Sequence, residues 1–396
     1  MMQPEKTQAS SQSPKQMLTP HIAGWFCNTN HSFDAETNIQ AMQQAINTSL
    51  PMEQLCADHY ACASTNSISH EQSCITAITG YPRWTESTFA KAAIEKSHAY
   101  ALSLAYHQYG SKFIEHLNGA FSFAIIDTDT NQLLAGVDRL GQFPLYYTKI
   151  DDGIIFGSSV STILAHTMVP RSVQEQGIYD YLYFHMVPSP HSIYKDIKKL
   201  PAGHWLNYAN DSVQISNYYQ PIFNEMAPNS FEEMGKQLKR ELKDAVSHCY
   251  EPTLKTAAFL SGGLDSSTVA GMLSEVSETR AEAYSIGFSA EGYDEMAFAR
   301  ITAKHFGVKL NEYYVTPEDV VDALPIVAAS YDEPFGNSSA LPAYFCAKVA
   351  AENGVERLLA GDGGDELFGG NERYVKQDIF EVINMGWDMM IAHPPC

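Results

Sequence analysis

From Ile22 onward the chain alternates apolar runs with polar breaks, and two different patterns follow one another. The apolar opening Ile22, Ala23, Trp25 and Phe26 leads to helix-like spacing over Glu36–Asn47. Two β-like runs, Gly119–Asp127 and Gln132–Asp138, flank the polar turn Thr128-Asp129-Thr130-Asn131 and predict a hairpin. The runs Pro144–Thr148 and Gly153–Gly157 extend the same pattern, and helical spacing recurs near residues 89–108 and 173–184. This is an α+β domain, ending near residue 220 where Tyr218-Tyr219-Gln220-Pro221 reads as a loop.

The second pattern begins with helical spacing over Ser230–His248 and an apolar strand at Thr256–Leu260. Helices are predicted at Ser267–Ser274, Glu295–Phe306, Pro317–Ser330 and Ala340–Asn353, and strands at Ala283–Phe288, Asn311–Val315 and Arg357–Ala360. Alternation of this kind predicts an α/β doubly wound, mainly parallel sheet, with a ligand site beyond the carboxyl ends of its strands. A further helix is predicted over Val375–Ile391, before Pro394-Pro395.

At 396 residues the chain is long enough for two domains, and 45% apolar against 18% charged residues supplies sizeable cores. The polar residues 1–20, rich in Gln, Ser, Thr and Pro, read as a disordered tail. A net charge of −21 without a basic patch argues against nucleic acid as partner. No segment has the apolar length of a membrane span or a signal peptide, and seven cysteines form no CxxC pair. The expectation is a cytoplasmic protein with no membrane partner. His21, His98, His204 and His305 show no metal-ligand spacing.

The chemistry lies in two loops. Ser261-Gly262-Gly263-Leu264-Asp265-Ser266-Ser267 follows the strand Thr256–Leu260 and opens a helix, so backbone N–H groups converge where an anion such as phosphate binds. It lacks the Gly-Lys-Ser/Thr ending of a Walker loop and carries Asp265 instead. A carboxylate beside polyphosphate needs a divalent cation between them, so Asp265 is a magnesium-ligand candidate. Taken alone, the heptapeptide also fits a glycine turn with an Asp or Ser helix cap. The second loop, Gly361-Asp362-Gly363-Gly364-Asp365-Glu366, follows the strand Arg357–Ala360 at the same sheet edge. Its glycines permit close backbone approach, Asp365 could complete the magnesium site, and Asp362 faces the reacting groups. Its spacing does not match an EF-hand calcium loop.

SGGLDSS with GDGGDELFGG about a hundred residues later resembles the ATP-pyrophosphatase (Rossmann-like, HUP) domain of glutamine-dependent asparagine synthetases. The resemblance includes Tyr331-Asp332-Glu333-Pro334 and Ser338-Ser339-Ala340-Leu341-Pro342. In the amino-terminal half, four stretches are similar to that family's class II glutamine amidotransferase domain, an Ntn-hydrolase-like sandwich. They are Asp138-Arg139-Leu140-Gly141, Pro144-Leu145-Tyr146-Tyr147, Phe156-Gly157-Ser158-Ser159 and Lys199-Leu200-Pro201-Ala202-Gly203-His204. The implied division is a tail over 1–20, a degenerate amidotransferase domain over 21–220 and an incomplete synthetase domain over 230–396.

The resemblance implies adenylation of a carboxylate by ATP with release of pyrophosphate, then attack by an amine. Aspartate and ammonia are the default substrates. By position, Leu260, Ile286, Ala360 and Gly361 would contact adenosine or its far side. Ser261, Gly262, Gly263, Leu264, Asp265 and Ser266 would hold pyrophosphate, Asp265 and Asp365 would hold Mg2+, and Asp362 would be catalytic, near the acyl-adenylate. Two departures from the family stand out. Where its glutaminases begin Met-Cys-Gly-Ile-Ala-Gly, this chain reads Thr19-Pro20-His21-Ile22-Ala23-Gly24, and the Arg-Gly-Pro-Asp and Asn-Gly-Glu glutamine motifs are missing. Cys27 reads as a small core residue. Relatives also continue through a helical segment bearing a lysine that neutralises pyrophosphate, whereas this chain stops shortly after Tyr374. The alternatives left open are an amide synthetase of the β-lactam synthetase or lasso-peptide cyclase kind and a nucleotide-binding pseudoenzyme or regulatory subunit. A homodimer or a separate carboxyl-terminal polypeptide are the partners to expect.

Overall fold

The computed structural model describes residues 20–29, 33–46, 50–57, 59–222, 230–288 and 295–370. The chain divides into two compact units, Met1–Pro221 and Ile222–Cys396. Except for Pro20, the tail expected over residues 1–20 lies outside the described residues, as does the helix expected over residues 375–391.

The first unit runs β1 (Ile22–Cys27), α1 (Ala35–Gln44), β2 (Glu53–Cys56), β3 (Tyr60–Ser64), β4 (Ser67–Glu71), β5 (Cys74–Trp84), α2 (Ser87–Glu95) and α3 (His98–Tyr109). It continues through β6 (Leu117–Asp127), β7 (Gln132–Val137), β8 (Tyr146–Ile150), β9 (Gly153–Gly157), α4 (Val160–Leu164), α5 (Glu175–Phe184), β10 (Lys198–Lys199), β11 (His204–Ala209) and β12 (Ser212–Asn217). Two six-stranded sheets, ordered β10-β8-β9-β1-β3-β2 and β12-β11-β7-β6-β5-β4, pack face to face. Ile22, Phe26, Ile154 and Phe156 of one sheet meet Ile75, Ala77, Ala124 and Ile126 of the other. The outer faces are covered as well: Ala23, Trp25 and Cys27 pack against Ile39 and Met42 of α1 and Val160 and Ile163 of α4, while Phe121, Phe123 and Ile125 pack against α2 and α3. The result is the four-layered αββα sandwich of an Ntn-hydrolase-like domain.

Burial on both faces explains why β1 is apolar throughout rather than alternating. The helical spacing near residues 89–108 resolves into two helices. Ser97, extended at φ −168°, separates them, and its side chain caps α3 by accepting from the Tyr100 N–H. The Asp138-Arg139-Leu140-Gly141 motif proves structural, because the buried Asp138 carboxylate accepts from the N–H groups of Phe121 (3.1 Å), Leu140 (2.9 Å) and Phe143 (3.2 Å).

The second unit runs α6 (Phe231–Cys249), β13 (Thr256–Phe259), α7 (Leu264–Val276), β14 (Glu282–Phe288), α8 (Met296–Phe306), β15 (Lys309–Val315), α9 (Pro317–Ser330), α10 (Ala340–Glu352), β16 (Arg357–Leu359) and α11 (Gly364–Phe368). A Ser230–Glu233 capping box starts α6. The sheet is parallel and ordered β15-β14-β13-β16. Apolar residues of α6, α7 and α8 cover one face, and those of α9 and α10 the other. The helix expected at Ser267–Ser274 starts three residues earlier, at Leu264, so its first turn lies inside the glycine-rich motif. No helix among the described residues is long and apolar enough to cross a membrane.

Winding runs outward from β13 to β14 and β15 and then returns to β16 on the other side of β13, which makes the gap between β13 and β16 the topological switch point. In the first unit, close packing of the sheets leaves no room at Gly24, where a Cβ would stand 2.1 Å from the Ala61 carbonyl oxygen and 2.8 Å from the Phe156 ring. Replacing Gly24 with alanine should therefore cost about 3 kcal/mol, the upper end for overpacking. Denaturant unfolding followed by tryptophan fluorescence should show an earlier transition, and an unchanged one would contradict this packing.

Candidate active site

The site is built on the two strands that flank the switch point. Ala258 of β13 pairs with Leu359 of β16, so Leu260 and Ala360–Gly361 leave the sheet side by side. Leu260 is completely buried and its N–H donates to the Tyr284 carbonyl at 2.9 Å. Its side chain therefore belongs to the core, leaving only its carbonyl for a ligand. Ile286, on β14, is half-buried against α9 and α10. Ala360 is exposed.

Hydroxyl bonds hold the first loop in shape. Ser261 Oγ lies 3.0 Å from Ser266 Oγ and accepts from the Gly263 N–H at 3.2 Å, the Ser261 N–H donates to Ser266 Oγ at 3.2 Å, and Ser266 Oγ donates to the Gly263 carbonyl at 3.2 Å. Gly262 adopts φ +95°, which favours glycine. Gly263 is the N-cap of α7 and has no side chain to satisfy the first turn, so the N–H groups of Leu264, Asp265 and Ser266 have no intrahelical acceptor. Such donors at a helix N-terminus can bind an anion.

The second loop interlocks with the first. A Cβ on Gly361 would lie 2.8 Å from the Asp265 Cβ and 2.9 Å from the Ser266 nitrogen. One on Gly364 would lie 2.4 Å from the Asp265 Cγ and 2.6 and 2.7 Å from its carboxylate oxygens. The Asp265 carboxylate thus fills the space that a side chain at position 364 would need. Gly363, at φ +91°, caps α11 and turns the chain so that Gly364, Asp365 and Glu366 form its first turn.

The electrostatics of this contact are unfavourable as it stands. The Asp265 carboxyl is held above its ordinary pKa by desolvation first and then by the negative charges of Asp365 and Glu366. Asp362, an exposed residue, is also raised, by desolvation and then by Glu366. Among the described residues no cation is a cause of either shift. Glu366 is thus a member of the cluster that motif reading passed over, although it stands inside the second motif.

A hard divalent cation fits this donor set. Magnesium is usually held by one or two carboxylates together with phosphate oxygens, rather than by an all-protein cage. Among the described residues no three or more His, Cys, Asp or Glu side chains gather into a metal-binding group, and Asp265 and Asp365 are two carboxylates near enough to interact.

The amino-terminal unit offers a different chemistry at its first strand. Pro20 is buried just before β1. Beside it, His21 Nδ1 lies 2.9 Å from Ser158 Oγ, which also accepts from the Ile22 N–H at 3.1 Å. Burial pushes the His21 imidazole down to about 4, so it is neutral at pH 7. Cys27 is buried in the layer facing α1, and its thiol is pushed up to about 11 by burial and then by Asp152. A thiol so placed is not a nucleophile at neutral pH.

A family model for asparagine synthase matches residues 237–388, and one for the glutamine amidotransferase domain matches residues 89–219. A Methanocaldococcus jannaschii protein named putative asparagine synthetase [glutamine-hydrolyzing] 2 is 34% identical over 275 residues, covering 67% of this chain and 52% of that protein. Asparagine synthetase [glutamine-hydrolyzing] 1 of Bacillus subtilis is 28% identical over 296 residues, covering 74% and 46%. A Gibberella zeae protein named amidase chry2 is 26% identical over 312 residues, covering 72% and 45%. The chain spans about half the length of these curated relatives. With an amidotransferase domain followed by the interlocked SGGLDSS and GDGGDE loops of a synthetase domain, the chain belongs to the asparagine synthetase (glutamine-hydrolyzing) family.

Proposed function

We propose that the second unit is an ATP-dependent amide-forming ligase that activates a carboxylate, aspartate by default, as its acyl-adenylate. The observation that carries this reading is the interlock of the two loops at the switch point, where Asp265 packs on Gly364 beside Asp365 and Glu366. Carboxylates brought together at an anion-binding helix terminus make chemical sense when a cation and a polyphosphate lie between them. Asp265 and Asp365 are the proposed ligands of Mg2+, which when bound would neutralise charge on the leaving pyrophosphate.

In this reading the N–H groups of Leu264, Asp265 and Ser266, with Ser261, Gly262 and Gly263, hold the β- and γ-phosphates. The Leu260 carbonyl, Ile286, Ala360 and Gly361 border the nucleoside. A carboxylate oxygen of the substrate attacks the α-phosphorus, the bond to the bridging oxygen breaks, and pyrophosphate leaves with that electron pair. The amine nitrogen then attacks the acyl carbon, AMP departs, and the nitrogen gives up a proton. Asp362 stands at the open side of the second loop. Its raised pKa keeps it closer to neutral than an ordinary carboxylate, which suits a group beside an anionic adenylate.

The amine in this reading is free ammonia or a second substrate, because Pro20 stands where the resemblance places the glutaminase cysteine. Pro20 is bonded on both sides, has neither thiol nor free amine, and is followed by a strand whose cysteine is buried. Purified protein given glutamine should release no glutamate above background, and Cys27→Ala should leave that result unchanged. Sustained hydrolysis lost in that variant would make Cys27 a nucleophile after all.

The first half-reaction is tested by exchange of labelled pyrophosphate into ATP, which needs no knowledge of the amine. Exchange should depend on a carboxylate, aspartate first, and Asp265→Asn should lower it at least about a hundredfold, the scale expected when a transition-state charge partner is lost. A protein that binds Mg-ATP but catalyses no exchange with any carboxylate would instead be a nucleotide-binding pseudoenzyme.

A further inference from the structure

Helix α7, whose first turn carries Asp265, lies along α8 with matched four-residue spacing. Ser267 and Gly271 of α7 face Thr302 and Phe306 of α8. A Cβ on Gly271 would stand 2.7 Å from the Phe306 ring, so that glycine lets the helices approach closely. One turn before Thr302, Phe298 supports the loop itself: a Cβ on Gly262 would lie 2.6 Å from the Phe298 Cβ and 2.8 Å from the Ala299 nitrogen. Between these two apolar contacts the hydroxyls of Ser267 and Thr302 meet at 3.0 Å, and both residues are half-buried.

The last serine of the SGGLDSS motif therefore turns away from the loop. Ser261 and Ser266 bond to each other and to the loop backbone, whereas the Ser267 hydroxyl is engaged by a different helix, 35 residues along the chain. We propose that Ser267 is a positioning residue for the nucleotide site, clamped by Thr302 so that the roll of α7 about its axis is set. That roll decides where the Leu264, Asp265 and Ser266 N–H groups point and whether the Asp265 carboxylate lies against Gly364. Apolar contacts at Gly262 and Gly271 resist separation of the helices but not rotation, since dispersion contacts have little directionality. A hydrogen bond is directional and does resist it.

The proposal rests on the reading of the site as one for Mg-ATP, and its test separates the two. Calorimetric titration with Mg-ATP is carried out on the full chain and on Ser267→Ala, Thr302→Val, the double variant and Thr302→Ser. Thr302→Val keeps the shape of the side chain while removing its hydroxyl, and Thr302→Ser keeps the hydroxyl. The expected result is a loss of affinity of about fivefold in Ser267→Ala and in Thr302→Val, the scale of one hydrogen bond. The double variant should be no weaker than either single one, because both break the same bond. Thr302→Ser should bind as the parent does. Thermal midpoints without nucleotide serve as the control, since a merely structural role would lower them and leave affinity unmoved in the folded protein.

Parent-like affinity in Thr302→Val would overturn the clamp, and a loss confined to Ser267→Ala would place the Ser267 hydroxyl on the nucleotide itself. Additive losses would also overturn it, by showing that the two hydroxyls act separately. Absence of Mg-ATP binding in the parent protein would refute the reading of the site and the clamp with it.

Discussion

Mutual repulsion between acidic side chains that backbone packing forces together is the constraint on which the second unit depends. Asp265 cannot move freely away from the second loop, because its carboxylate occupies the space left by the missing side chain of Gly364, and Gly361 packs on its Cβ. Asp365 and Glu366 stand near enough to raise its pKa. Like charges held near one another carry an energetic cost, which the proposed Mg2+ would offset on binding.

The topology explains why the two loops meet at all. Reversal of the winding direction at β13 opens the sheet between β13 and β16 at their carboxyl ends, and each strand ends in a glycine-rich turn into a helix. The first turn carries N–H groups with no intrahelical acceptor and the second carries carboxylates, the donor set on which the proposed Mg-ATP site rests. Helix α8 lies behind the first loop and supports it through Phe298, Thr302 and Phe306. In the amino-terminal unit the sandwich has the buried Pro20 just before β1.

Much of this was legible in the residues. Strands β13, β14 and β16 carry apolar runs separated by helical spacing, and both motifs sit directly after strands, which is what made them candidate ligand loops. Less legible was the start of α7 at Leu264, because glycines at 262 and 263 look like loop up to the first helical residue. Within the helical spacing near residues 89–108, the extended backbone of Ser97 splits α2 from α3. Strand β1, buried on both faces, carries no alternation to announce which side faces which layer. The contacts of Asp265 with Gly364, and of Ser267 with Thr302, join positions far apart in the chain, and no local pattern contains them. Glu366 was visible in the motif, but its effect on Asp265 and Asp362 depends on geometry.

The central claim is that the acidic contact opposes folding until a cation bridges it. Asp265 has a folded-state pKa above its unfolded value, so its ionised form is disfavoured by folding, and stability should rise as pH falls through that folded pKa. Calorimetric unfolding of the parent and of Asp265→Asn at neutral pH, with and without Mg-ATP, tests this directly. Without metal, the variant should unfold at the higher temperature, with its advantage shrinking as pH is lowered. With Mg-ATP the order should reverse, because only the parent gains the full stabilisation of a bound ligand. A metal-free variant less stable than the parent at neutral pH, or equal gains on adding Mg-ATP, would contradict the account.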